Sequence, residues 1–204
     1  SYYRYNKEFD HMSTTQTTTG TGNNTNNELV ASRNDVIDYA VYIYNSPHAD
    51  ARTNCRALLM HVYYLAIHSH FQEANNLFLM SHIQDNIDSA DISTRILFNR
   101  TMAQLGICAF KNGQYEASVS CLHDLFLSKQ VKELLGQSVK HYGSDSETIA
   151  NEQARMIPYH LHINYELLET TFLISAMFQE IPFTNENGEF TNKKSGVRLY
   201  RKYY

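Results

Sequence analysis

The amino-acid sequence predicts an all-α fold, an α-solenoid built from antiparallel helix hairpins. Apolar residues recur with the 3.6-residue period of a helix, and the alternation typical of strands is absent. A helix-hairpin pattern also occurs twice, 44 positions apart, and each hairpin has an apolar stripe that a neighbouring pair must cover. The aligned positions are apolar or small in both copies: Leu58 and Met102, Val62 and Gly106, Leu65 and Ala109, Ser69 and Gly113, Phe71 and Tyr115, Ala74 and Ser118, Phe78 and Leu122.

The chain divides into four predicted segments. Residues 1–12 are rich in tyrosine and are expected to be the end of a preceding helix. Residues 13–27 carry no charge and no large apolar group, so they cannot offset their ordering entropy and are expected to be a flexible linker. Residues 28–183 form the predicted helical-repeat domain, and residues 184–204 the predicted loop and start of the next helix.

Within the repeat domain, turn residues and prolines mark the expected helix boundaries. Pro47 follows the first helix, Pro158 stands near the start of the last helix, and Pro182 stands just beyond its end. The polar segment 84–93 is predicted to connect the two hairpins. The expected helices are residues 28–45, 51–69, 71–83, 94–111, 115–127 and 158–180.

Two glycines of the second hairpin need a physical explanation. A glycine inside a helix costs about 1 kcal/mol relative to alanine, so Gly106 is expected where two backbones pack closely. Gly113 lies between the helices, where a left-handed residue would close the turn. With Tyr115, these glycines resemble the tetratricopeptide consensus, which the first copy matches less well. The predicted structural repeat positions are Gly106, Gly113, Tyr115, Phe71 and Ala74.

Composition places the protein in a reducing, aqueous compartment. The three cysteines have no metal-binding spacing, and an odd number fits free thiols better than a disulfide framework. The longest apolar stretch, residues 172–178, is too short to span a bilayer. We therefore expect a cytoplasmic protein with no membrane association.

The net charge of −4 is unevenly distributed, because the last twelve residues contain five basic side chains and no acid. The acidic remainder is a poor surface for phosphate backbones. The basic end also contains three tyrosines, a composition that can stack on bases and neutralise phosphates. It is a candidate RNA or partner contact, or else the first turns of a further repeat. Its basic residues are Lys193, Lys194, Arg198, Arg201 and Lys202.

Motifs for catalysis or metal binding are missing from the sequence. The pairs His68 and His70, and His160 and His162, point about 200° apart if they are helical, so neither pair can chelate a metal. No phosphate-binding loop or nucleophile elbow occurs. Cys108 and Cys121 are expected to fill the core, with no base positioned beside them. We expect no catalytic residue, no metal and no cofactor.

Several ordered blocks of sequence resemble a known family. These blocks are residues 80–87, 99–102, 104–110, 132–137, 158–164 and 166–169, and they resemble the family of the C subunit of eukaryotic translation initiation factor 3. The resemblance implies the helical-repeat segment of a PCI-domain protein, with the winged helix not included. It implies a non-catalytic scaffold that supports assembly of the 43S preinitiation complex. The implied partners are the other factor 3 subunits, the small ribosomal subunit and, through regions outside this sequence, other initiation factors.

Two alternative functions stay open from the sequence. The chain could be a scaffold of another PCI complex, such as the proteasome lid or the COP9 signalosome. It could instead be a tetratricopeptide-like adaptor that grips the acidic tail of a partner in a concave groove. Such a clamp would use the polar side chains on the first helix of each hairpin, namely Arg52, Arg56, Arg95, Asn99 and Arg100.

Overall fold

A computed structural model describes residues 36–46, 48–128, 130–138, 153 and 155–187. Within these residues the regular structure is helical and no strand occurs, which confirms the all-α prediction. Two short 3-10 turns, Ile87–Ser89 and Tyr159–Leu161, lie between helices. The α-helices are α1 (residues 36–45), α2 (Ala51–Ile67), α3 (Phe71–Ser81), α4 (Ile83–Asn86), α5 (Ile92–Lys111), α6 (Tyr115–Leu127), α7 (Val131–Leu134) and α8 (Tyr165–Asn187).

The four helices of the two predicted hairpins lie close to their expected positions. Helix α6 has the predicted bounds, α2 and α3 each end two residues early, and α5 begins two residues early. Asp91 explains the early start of α5, because its carboxylate accepts hydrogen bonds from the Thr94 hydroxyl at 2.6 Å and the Thr94 amide at 3.4 Å. Hydrogen bonds from Thr94 and Ser93, together with Arg52, hold the pKa of Asp91 well below its usual range.

The polar connector predicted between the hairpins, residues 84–93, contains short helical elements. They are the last three residues of α4 and the turn Ile87–Ser89. His82 adopts a left-handed conformation (φ 50°) that ends α3, and the next residue, Ile83, is buried. Ile83, predicted as the last residue of the preceding helix, is therefore the first residue of α4 instead.

The predicted bounds of the last helix were wrong at both ends. Pro158 precedes the turn Tyr159–Leu161, and α8 begins only at Tyr165. Asn164 determines this start because its side-chain oxygen accepts hydrogen bonds from the amides of residues 166 and 167, at 3.0 and 3.3 Å. Helix α8 also continues through Pro182, which lacks one backbone donor but does not end the helix here.

The core has two adjoining clusters that share α5. The first lies between α2, α3 and α5 and includes Val62, Phe71 and Leu105. The second lies between α5, α6, α7 and α8 and includes Leu122 and Phe172. The rings of Phe126 and Phe172 stack at 4.7 Å in the second cluster. Helix α5 therefore has many buried residues. Helix α2 packs on it in the first cluster and α8 in the second.

The two hairpins close with the same backbone geometry. Ser69 and Gly113 both have positive φ, 64° and 74°, and they are 44 positions apart. After each, the next amide donates to a carbonyl five residues earlier, His70 to Leu65 at 3.0 Å and Gln114 to Ala109 at 2.9 Å. The sequence periodicity thus corresponds to an equivalent turn in each helix pair.

Close approach between α5 and α6 occurs at Gly106. A Cβ atom built on this glycine would lie 2.6 Å from Leu122 Cγ, nearer than van der Waals contact allows. The Ser118 hydroxyl donates to the Gly106 carbonyl at 2.9 Å, and the Ser175 hydroxyl donates to Ser118 at 3.2 Å. Small residues therefore bring α5, α6 and α8 together and satisfy their buried polar atoms.

Candidate interaction surface

The basic residues predicted as an RNA or partner contact lie outside the described part of the chain. They are Lys193, Lys194, Arg198, Arg201 and Lys202.

Four of the five predicted repeat positions lie in or beside the core. Phe71 and Ala74 are buried in the cluster shared by α2, α3 and α5. Gly106 is buried against Leu122, and Gly113 is an exposed turn residue. Tyr115 packs on the ring of Phe178 at 4.8 Å.

The residues predicted for an adaptor clamp are mostly engaged within the chain. Arg52 forms a two-point ion pair with Asp91, with both N–O distances 3.0 Å. Arg56 donates to the Ser93 hydroxyl at 2.9 Å. Asn99 and the buried Arg100 donate to the backbone carbonyls of residues 134 and 161 at 3.1 and 2.6 Å. These four side chains therefore have hydrogen-bond partners within the chain, and Arg52 is also largely exposed to solvent.

The two histidine pairs lie in connectors, although His68, His160 and His162 were expected within helices. His68 and His70 flank the turn between α2 and α3, and His70 Nδ1 lies 2.8 Å from the His68 carbonyl. His162 is extended, precedes α8, and places Nε2 2.8 Å from the Ile157 carbonyl. No group of three or more His, Cys, Asp or Glu side chains in the described residues could hold a metal ion.

The described cysteines are free thiols in environments that disfavour the thiolate. Cys108 is fully buried, and burial raises its pKa. Burial raises the pKa of Cys121 to about 12. Because the thiolate is the reactive form of cysteine, these two side chains behave as packing groups.

A surface groove lies on the side of α5 that faces away from α3. Its cavity volume is about 460 Å³, within the range of protein ligand sites. Gln104, Ile107 and Lys111 line it at helical spacing along α5, and Tyr63 of α2 borders it. The segment 160–164 and the first turns of α8 form the remaining border.

Internal hydrogen bonds hold the 160–164 border in place. Arg100 donates to the Leu161 carbonyl, and His162 contacts the Ile157 carbonyl. Asn164 anchors the segment to the start of α8. Leu161 in this segment and Leu167 in α8 line the groove, and each has 52% of its surface exposed. Hydrogen bonds within the chain therefore position the apolar groups at this border.

Two of the sequence blocks that carry the family resemblance meet at this groove. Blocks 104–110 and 158–164 both belong to the family resemblance, and both contribute residues that line the groove. Their meeting could not be predicted, because Pro158 was expected near the start of a helix, whereas the turn Tyr159–Leu161 follows it. The described part of the chain therefore defines an all-helical protein whose candidate site is an open apolar groove.

Comparison with known proteins places this helical protein in one family. Residues 1–188 match the family described as "Eukaryotic translation initiation factor 3 subunit 8 N-terminus", and the chain belongs to that family. It is 45% identical over 153 residues to the C subunit of eukaryotic translation initiation factor 3 of Drosophila melanogaster, covering 73% of this chain and 17% of that protein. For the same protein of Drosophila grimshawi, the identity is 43% over 172 residues, covering 82% of this chain and 18% of that protein.

The chain thus spans less than a fifth of the length of these relatives. No helix in the described residues has the length and apolar character needed to cross a membrane.

Proposed function

We propose that this chain is a non-catalytic scaffold segment of the translation initiation factor 3 complex. In this role it supports assembly of the 43S preinitiation complex on the small ribosomal subunit in the cytoplasm. The family match over residues 1–188 carries the proposal, together with relatives named as the C subunit of that factor. Its partners would be the other factor 3 subunits and the small ribosomal subunit.

The proposed scaffold is an α-solenoid in which α2–α3 and α5–α6 are successive repeats. The equivalent turns at Ser69 and Gly113 and the packing of α2 on α5 support this arrangement. Each pair covers the apolar face of the next, as stacked repeats do. We assign the repeat positions Phe71, Ala74 and Gly106 to this packing.

The basic end of the chain is proposed as a contact for ribosomal RNA or a neighbouring protein of the complex. The proposal rests on composition, because five cations and three tyrosines occur in twelve residues. The adaptor alternative has less support, since four of its five clamp residues hydrogen-bond within the fold.

Affinity capture of the tagged chain from cell lysate, followed by mass spectrometry, tests the scaffold proposal. Factor 3 subunits together with small-subunit ribosomal proteins are expected. Leu105→Asp, which places a carboxylate in the core, should abolish this recovery, whereas Leu127→Asp at an exposed position of α6 should preserve it. Recovery of proteasome-lid or signalosome proteins instead, or of no factor 3 subunit, would contradict the proposal.

A further inference from the structure

The groove on α5 combines exposed apolar side chains with positive charge. Leu161 and Leu167 are half exposed, and Tyr63, Phe110 and Ile163 are only partly buried around them. Large apolar side chains that stay exposed together mark contact sites more strongly than isolated ones do.

Among the described side chains that line the groove, Lys111 carries the one formal charge, and it is positive. Lys111 is exposed at the groove, and no Asp or Glu is among the described side chains that line it. This contrasts with the chain as a whole, in which acidic residues outnumber lysine and arginine by 21 to 17. A partner that brings a carboxylate to this groove therefore meets a complementary charge and no repelling one.

The shape of the groove favours a polypeptide over a small molecule. It lies at the surface, and its residues come from α2, α5, the 160–164 segment and α8. A volume of about 460 Å³ accepts a few apolar side chains of a partner. An amphipathic helix laid in a groove uses this kind of surface.

We propose that this groove binds an acidic amphipathic segment of a partner protein. Bulky apolar side chains of that segment contact Leu161, Leu167 and Tyr63, and a carboxylate pairs with Lys111. The inference rests on the proposed scaffold function and specifies the chemistry of one partner contact.

Selection of random twelve-residue peptides displayed on phage against the 204-residue chain tests this inference. Enriched peptides are expected to combine Asp or Glu with Leu, Ile, Phe or Trp. A synthetic peptide of the enriched sequence, labelled with fluorescein, then serves as the probe for affinity measurements by fluorescence anisotropy.

Matched variants locate the binding site of that peptide. Lys111→Glu should weaken the affinity about fivefold or more, because it replaces an attraction with a repulsion, whereas Arg95→Glu, at an exposed position of the same helix, should not. Leu167→Ala should weaken it by a similar factor, whereas Leu127→Ala should not. These two leucines are exposed to the same degree, 52% and 53%.

Three binding results would overturn the inference. These are selection that enriches no peptide, enriched peptides that lack acidic residues, and binding that the Lys111 and Leu167 variants leave unchanged. Light scattering that shows a dimer disrupted by Leu167→Ala would assign the groove to a second copy and would also overturn it. Because these assays use the isolated chain, failure here is distinguishable from failure to capture factor 3 subunits.

Discussion

Gly106 shows how a single residue sets the distance between two helices. Its missing side chain leaves room for Leu122, and its carbonyl accepts the Ser118 hydroxyl. The sequence indicated a close approach, because a glycine inside a helix is unfavourable unless the packing requires it. It could not identify Leu122 as the neighbour, since helical periodicity does not show which side chain from another helix fills a gap.

We expect Gly106→Ala to lower the free energy of unfolding by about 1–2 kcal/mol, because overpacking against Leu122 outweighs the gain in helix propensity. Urea denaturation followed by circular dichroism measures this change. In a Leu122→Ala background the same glycine substitution should cost much less, because the clashing atoms are gone. An equal cost in both backgrounds would contradict the explanation.

His61 provides a pH-dependent test of local burial. Burial lowers the pKa of His61 to about 4, and the Tyr44 ring stacks beside it with centroids 6.3 Å apart. The unfolded state binds a proton near pH 6.5, whereas the folded state does so only near pH 4. The stability linked to this group is therefore fully present above pH 6.5 and is lost as the pH falls toward 4.

Lowering the pH from 7 to 5 should cost the unaltered protein about 2 kcal/mol more than a His61→Gln variant. The measurement is the free energy of unfolding in urea at both pH values. All other titrating groups are common to the two proteins, so the difference isolates His61. Identical pH dependence in both proteins would show that the imidazole is not held neutral.

At the scale of secondary structure, the paired turns were partly predictable. Gly113 was expected in a left-handed turn with Ser69 aligned to it, and both residues have positive φ. The prediction was possible because glycine at the end of a helix has a local conformational cause. The start of α8 depends instead on the side chain of Asn164, and Pro182 proved a misleading stop signal.

Opposite substitutions in the two turns should have opposite effects. Ser69→Gly should raise the free energy of unfolding by about 0.5–1 kcal/mol, because glycine adopts positive φ without the steric cost of a Cβ atom. Gly113→Ala should lower it by about 1 kcal/mol. Nothing lies within 4 Å of the new Cβ at Gly113, so the conformational cost acts alone. Thermal unfolding of the two variants measures these changes, and shifts of the same sign would contradict the shared geometry.

At the scale of the whole molecule, α5 organises the described part of the chain. It contributes residues to both core clusters and also lines the groove. The all-helical class was predictable because apolar periodicity is a local property of the chain. The groove was not predictable, because it joins Tyr63, Gln104 and Leu167 across three helices, and the irregular segment 160–164 completes it.

The sequence by itself determined the helical class, the 44-residue recurrence and the family to which the chain belongs. Each of these depends on the order and spacing of residues along the chain. Only the tertiary structure decided that Arg52 and Arg100 make contacts within the chain, that the histidine pairs lie in connectors, and that an apolar groove faces solvent. The physical reason is that helical period specifies which face is apolar, whereas three-dimensional packing decides which apolar residues are covered.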